Sequence, residues 1–291
     1  MALWRIWAHG EERLARGGPA EGPKELLPRA HRIDTILATD GPTLEEVLAS
    51  PHTEPLDGEA QVLAPIGSQE VWAAGVTYRR SRDARMEEST EADHYDRVYD
   101  ADRPEIFFKA TAPRVRGPGE PIGIRADSTW DVPEPELGLV LDADGELAGY
   151  VIGDDVSSRS IEGDNPLYLP QAKSYTGSCA IGPCIVAVGE APALGDMVIE
   201  LIISRDGAEL YTDTVAVTQM KRRPQELATW LCAALTFPHG VFLLTGTAIV
   251  PPAEFTLAPD DDVSIRITDL GLLRNRVERV GAVIGAVSTS F

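Results

Sequence analysis

Positive charge is scarce in this chain: 26 Lys and Arg stand against 46 Asp and Glu in 291 residues, a formal charge of −20. That imbalance argues against nucleic acid as a partner, because nothing supplies the basic footprint that phosphates require. Acidity also serves solubility and tolerance of salt or heat, and composition does not separate these. A small anionic substrate would need local positive charge from a metal or from a few Lys and Arg. Cysteine is sparse as well. Cys179, Cys184 and Cys232 form neither a disulfide framework nor a C-x-x-C zinc pair, so they are expected reduced and packed. No apolar run approaches the roughly 18–20 residues that cross a bilayer. The first ten residues lack the apolar core and cleavage site of a signal peptide. A cytoplasmic protein with no membrane partner is expected.

What the chain does have is a concentration of carboxylates near its centre. Glu134 and Glu136 are two apart, so on an extended strand they share a face. The apolar run after them meets Asp144-Gly145, a preferred pair for a type I′ hairpin turn. With those two residues as the turn centre, opposed residue numbers sum to 289 and Glu134 faces Asp155. Gly153 then lies opposite Glu136, where a missing side chain would leave room for an ion or ligand. Three like charges so close call for a hard dication, Mg²⁺ or Mn²⁺, which takes oxygen ligands. The competing reading is a solvated acidic hairpin, and a slip of one residue would turn Asp155 to the other face. Asp154 should point away from the cluster and serve structure.

Residues 1–65, rich in Gly, Pro and Ala, read as a small accessory N-terminal region with one short helix capped by Thr43 and Glu46. Residues 66–291 read as one larger domain. Its many short strands, Glu254–Leu257 among them, point to a mostly β fold with few helices (α+β), a sandwich, roll or barrel rather than a doubly wound sheet. One helix begins at Pro224 and carries an apolar stripe through Leu227, Trp230 and Leu231, with its Trp in the core. Residues 79–104 are highly charged and low in aliphatics: a solvated surface helix, or a lid beside the candidate site.

Several segments, in order, resemble the fumarylacetoacetate hydrolase family. They are Gly75-Val76-Thr77-Tyr78, Phe107-Phe108-Lys109, Glu134-Pro135-Glu136, Gly153-Asp154-Asp155-Val156-Ser157-Ser158-Arg159, Lys173-Ser174-Tyr175 and Leu244-Thr245-Gly246-Thr247. The resemblance implies the mixed β-sandwich roll of that family, a homodimer or homotetramer, and one Mg²⁺ or Mn²⁺ per subunit held by Glu134, Glu136 and Asp155. It also implies a small-molecule 2-keto acid as substrate. Hydrolytic members carry a His shortly after their G-x-N-Y motif. Ser81 stands there in this chain, and His9, His31, His52, His94 and His239 all lie elsewhere, although His94 sits on the lid-like segment. The chain is more similar to the branch of the family that dehydrates 2-keto-3-deoxy sugar acids.

For such a substrate the resemblance implies a Lewis-acid cation that polarises the 2-keto group, an enolate formed by loss of a C3 proton, and β-elimination of the C4 hydroxyl. The expected product is 2-oxoglutarate semialdehyde. Lys173 matches the family lysine after the metal Asp and is the expected proton-transfer and substrate-contact residue; charge balance is its alternative role. Arg79, Arg80, Ser81, Lys109 and Thr247 are further candidates for substrate binding, with Tyr168 and Gln171 behind them for hydroxyl recognition. Three alternatives stand beside the dehydratase: hydrolytic C–C cleavage of an acylpyruvate or 2,4-diketo sugar acid, decarboxylation or tautomerisation of oxaloacetate, and a non-catalytic binding protein stabilised by metal.

Overall fold

The computed structural model describes residues 1–81, 83 and 98–282. Its N-terminal strands are β1 (Ala2–Ala8), β2 (Glu11–Gly18), β3 (Gly22–Leu26), β4 (Glu54–Pro55), β5 (Gln61–Val62) and β6 (Glu70–Gly75). There follow β7 (Glu105–Thr111), β8 (Val115–Arg116), β9 (Ile122–Arg125), β10 (Asp131–Val132), β11 (Pro135–Leu141), β12 (Leu147–Asp155) and β13 (Ser157–Ser158). The last are β14 (Cys179–Ala187), β15 (Val198–Arg205), β16 (Ala208–Ala216), β17 (Val241–Leu244), β18 (Asp262–Ile267) and β19 (Gly271–Val280). Short α-helices interrupt them; those with bounds among the described residues are α1 (Ile33–Ile36), α2 (Leu44–Leu48), α3 (Arg159–Asp164), α4 (Leu169–Lys173) and α5 (Pro224–Cys232). The protein is mostly β with few helices, as the strand pattern indicates. Among the described residues, no helix is long and apolar enough to cross a membrane.

One large mixed sheet runs β4-β3-β2-β1-β14-β12-β11-β17-β6-β7, and a five-stranded sheet runs β16-β15-β18-β19-β9. They pack face to face through Leu137, Leu139 and Ile152 of the large sheet and Ile199, Leu201, Ile265 and Leu273 of the small one. The opposite face of the large sheet carries Val140, Val151, Phe242 and Leu244, and is covered by Ile33 and Ile36 of α1 and Leu44, Val47 and Leu48 of α2. β1 shows no clean alternation in sequence because Leu3 is buried on the opposite face from Trp4 and Ile6, and Trp7 is an apolar residue left exposed. His9 and Gly10, both with positive φ (52° and 80°), form its two-residue turn into β2. Thr43 does cap α2, its hydroxyl accepting from the Glu46 amide at 3.2 Å.

The β11–β12 hairpin keeps the expected register by an unexpected route. From Glu136↔Gly153 to Val140↔Gly149 the paired numbers sum to 289. Asp144-Gly145 is nevertheless not a two-residue turn. Gly145 is left-handed (φ 81°), but its amide closes onto the Asp142 carbonyl at 3.1 Å, and Asp142 N bonds Glu146 O at 2.9 Å. The Asp142 carboxylate accepts from the amides of Asp144 (3.0 Å) and Glu146 (2.9 Å), which draws the loop into a longer form. A bulge after Leu147 then absorbs the extra residue and restores the register.

Three further expectations fail. Glu254–Leu257 is not a strand: Pro251 and Pro252 lead into a turn closed by Phe255 N on Pro252 O at 2.9 Å. Trp230 is only half-buried and lies under Arg103, 4.4 Å from the guanidinium carbon to the ring centre. Gly153 leaves no room for a ligand, because Leu244 fills the space, its Cδ2 2.3 Å from where a Cβ would stand. Gly153→Ala should therefore destabilise the fold by about 1–3 kcal/mol in chemical denaturation. The double variant with Leu244→Ala should recover part of that loss, whereas full additivity would mean the two positions do not share this space.

Candidate active site

β6 and β17 run parallel side by side, with β11 and β12 antiparallel beyond β17 and β7 on the other flank of β6. The ends of these five strands therefore meet at one edge. There the β6 exit (Gly75, Val76), the β17 exit (Gly246, Thr247), the start of β7 (Glu105, Phe107) and the acidic ends of β11 and β12 line one cavity. α3 and α4 close it with Arg159, Glu162, Leu169 and Lys173.

Glu134, Glu136 and Asp155 are all buried, and each offers an oxygen within 4.8 Å of the others. The backbone extends the hairpin past its last paired residues: Asp155 N donates to Glu134 O at 3.0 Å, which sets these two side chains together. Lys173 Nζ bridges Glu134 Oε2 at 2.8 Å and Asp155 Oδ2 at 2.9 Å. Glu134 Oε1 also accepts from Ser157 Oγ at 2.8 Å and faces Arg159 Nη2 at 3.1 Å. Glu136 has less compensation. Among the described residues its hydrogen bond comes from the Gly246 amide, 2.6 Å from Oε2. Burial, then the charges of Asp155 and Glu134, push its carboxyl well above the usual carboxylate range.

Asp154 points away from the cavity, as alternation requires, and its Oδ1 accepts from Glu134 N at 3.0 Å. Burial pushes its carboxyl up to about 7. Its role is to fix the backbone of Glu134.

Not every expected substrate contact is brought here. Thr247 and Ser81 line the cavity; the Ser81 hydroxyl donates to Tyr78 O at 2.8 Å. Arg79 and Arg80 begin a helical turn whose inward position is taken by Ser81, so both point outward. Arg79 is 78% exposed and faces Asp83, while Arg80 pairs with Asp213 at 2.5 Å. Tyr168 and Gln171 are exposed on either side of the inward-facing Leu169. His94 lies outside the described residues, as does most of the charged segment that carries it.

Lys109 is central but does not face the cavity. β7 bulges where Val71 pairs with Ala110 and Trp72 with Phe108, leaving Lys109 without a cross-strand partner and turning it inward. Fully buried, it pairs with Asp155 Oδ1 and donates to Val156 O at 3.0 Å and Lys173 O at 2.5 Å. It thus holds Asp155 and the backbone of Lys173 in one grip. Lys109→Met should cost about 3–5 kcal/mol of stability, the usual penalty for orphaning one member of a buried ion pair. Unchanged stability with a raised KM would return Lys109 to substrate binding.

Three residues of the cavity went unrecognised in the sequence. Arg159 and Glu162 are three apart, hence on one face of α3, and both are buried. Glu105 opens β7 beside Gly75, whose missing Cβ makes way for the Glu105 carboxylate. Only the 159/162 spacing could have signalled them. Five carboxylates (Glu105, Glu134, Glu136, Asp155, Glu162) thus line the cavity against Arg159 and Lys173, with Lys109 behind. An all-oxygen donor set with an excess of two negative charges fits a hard dication.

The fold and this carboxylate cluster define a recognised class. Residues 70–278 match the model of the fumarylacetoacetate (FAA) hydrolase C-terminal domain, and the chain belongs to that family. It is 50% identical over 249 residues to the "Probable 2-keto-3-deoxyxylonate dehydratase" of Haloferax volcanii, covering 86% of this chain and 83% of that protein. It is 43% identical over 225 residues to the 2-dehydro-3-deoxy-D-arabinonate dehydratase of Saccharolobus solfataricus, 76% of each chain. The solved structure of 2-keto-3-deoxy-D-arabinonate dehydratase complexed with magnesium and 2,5-dioxopentanoate superposes with a TM-score of 0.83 at 34% identity. That match covers 96% of this chain and 99% of the other.

Proposed function

We propose that this enzyme is a divalent-metal-dependent dehydratase that converts a 2-keto-3-deoxy pentonate to 2,5-dioxopentanoate, the semialdehyde of 2-oxoglutarate. The observation that carries this reading is the buried triad Glu134, Glu136 and Asp155 with Lys173 across two of its members. The two dehydratases it resembles, and the magnesium and dioxopentanoate held by its structural neighbour, support it. Glu134, Glu136 and Asp155 would hold Mg²⁺ or Mn²⁺, which when bound supplies Lewis-acid polarisation of the 2-keto group.

The remaining work falls to side chains. Arg159 and Lys173 bring positive charge to an otherwise acidic cavity and suit the substrate carboxylate. Lys173 donates to two carboxylates in this structure, so it enters as a donor, orienting oxygens, rather than as a base. The C3 proton needs an acceptor and the C4 hydroxyl a donor as water leaves across C3–C4. Glu162 and Glu105 are the cavity carboxylates outside the triad and take these two roles. Rearrangement of the unsaturated keto alcohol, without further change in composition, places an aldehyde at C5. Thr247 is positioned to bind a substrate oxygen.

Hydrolytic C–C cleavage gains no support, since no histidine lines the cavity among the described residues. The family resemblance carries the further proposals that the chain works as a homodimer or homotetramer in the cytoplasm, and that residues 66–291 form the catalytic unit with 1–65 as an accessory.

Incubation with Mg²⁺ and a 2-keto-3-deoxy pentonate should produce an aldehyde signal in the proton NMR spectrum; no turnover with metal present would remove the assignment. Glu136→Gln should abolish metal-dependent turnover and leave the melting temperature unchanged or raised, because it relieves like-charge crowding. Glu162→Gln should lower kcat by about 10²–10⁴-fold with metal affinity unchanged. A loss of metal affinity in calorimetry would place Glu162 among the ligands instead.

A further inference from the structure

A strained residue stands at the cavity wall. Five non-glycine residues among those described have positive φ: His9, Asp206, Asp260, Asp269 and Val76. Histidine and aspartate tolerate that region in turns, whereas a β-branched side chain there is an outlier. Val76 (φ 53°) is also the one of the five that lines the cavity. The sequence places a glycine next door, yet not at the left-handed position. Gly75 is required for a different reason, since a Cβ on it would stand 2.2 Å from Glu105 Oε2. A side chain is therefore retained at 76 despite its backbone.

The surroundings hold this turn on every side. Thr77 Oγ1 donates to Thr245 O at 2.6 Å, Lys221 N donates to Thr77 O at 2.9 Å, and Tyr78 bridges Met220. On the facing strand exit Gly246 (φ 93°) approaches so closely that a Cβ would meet Thr77 Oγ1 at 2.1 Å. Strain fixed this firmly, at a residue 7% exposed that lines the cavity, marks function rather than a loose turn.

We propose that Val76 is a specificity-determining residue that limits the length of the substrate. The left-handed turn drives its isopropyl group into the cavity, where it narrows the space for a 2-keto-3-deoxy acid and excludes chains longer than five carbons. This rests on the dehydratase reading above and refines its substrate class.

The experiment compares kcat/KM for five-carbon and six-carbon 2-keto-3-deoxy acids with the Mg²⁺-loaded wild type, Val76→Gly, Val76→Ala and the near-isosteric Val76→Thr. Glycine adopts positive φ freely, so Val76→Gly should fold. Its ratio of six-carbon to five-carbon kcat/KM should rise about tenfold or more, the scale at which a pocket discriminates a carbon of chain length. Val76→Ala should shift the same way by less, and Val76→Thr should keep the wild-type ratio. Equal loss on both substrates, or a Val76→Gly ratio within about threefold of wild type, overturns the proposal. Should Val76→Gly fail to fold, the Val76→Ala ratio decides: an increase upholds the proposal and an unchanged ratio overturns it. Wild type inactive on both acids would instead remove the dehydratase reading itself.

Discussion

Like-charge repulsion in a buried space is the constraint around which this protein is arranged. Three carboxylates, Glu134, Glu136 and Asp155, are drawn within 4.8 Å by the ends of one hairpin. At short range in a low-dielectric interior, such repulsion outweighs any surface ion pair. The fold answers with donors. Lys173 spans two of the carboxylates, Ser157 and Arg159 attend Glu134, the Gly246 amide reaches Glu136, and Lys109 braces Asp155 from behind. The compensation is uneven. Burial and the charges of Asp155 and Glu134 push the Glu136 carboxyl well above the usual carboxylate range, a crowding that a bound cation would relieve.

Strand order turns this cluster into a site. Because β6 and β17 are parallel neighbours, both exits leave the sheet beside the acidic ends of β11 and β12. The two exits interlock through Thr77 and Thr245, and the glycines at 75 and 246 are the positions where the close approaches occur. α3 and α4 then add both signs of charge, Arg159 and Lys173 with Glu162, to the cavity that the three carboxylates line. Ser81 lines this cavity, and Glu162 and Glu105 are its carboxylates outside the triad.

The legible part of the sequence was the periodic part. Alternation placed Glu134 and Glu136 on one face, and the 289 register held although the turn type behind it did not: a longer Asp142-closed loop and a bulge after Leu147 cancel. β2 (EERLARGG) and β3 (GPKEL) were hidden because Gly, Pro and charged residues fill them and leave little apolar alternation to read. Lys109 was recognised as important, but its direction depends on a bulge that no spacing records. Arg79 and Arg80 looked suited to an anionic substrate, yet a helical turn presents only Ser81 inward. Glu105 reaches the cavity through a contact with Gly75 some thirty positions earlier, a relation that exists only after folding.

Diffraction from crystals soaked in Mn²⁺ addresses the central claim most directly, because the ion's anomalous signal locates it without assumption. The arrangement of charges requires a single strong peak enclosed by Glu134, Glu136 and Asp155, and its loss in Glu136→Gln. A saturating soak that leaves this position empty, or that puts the ion elsewhere in the molecule, would contradict it.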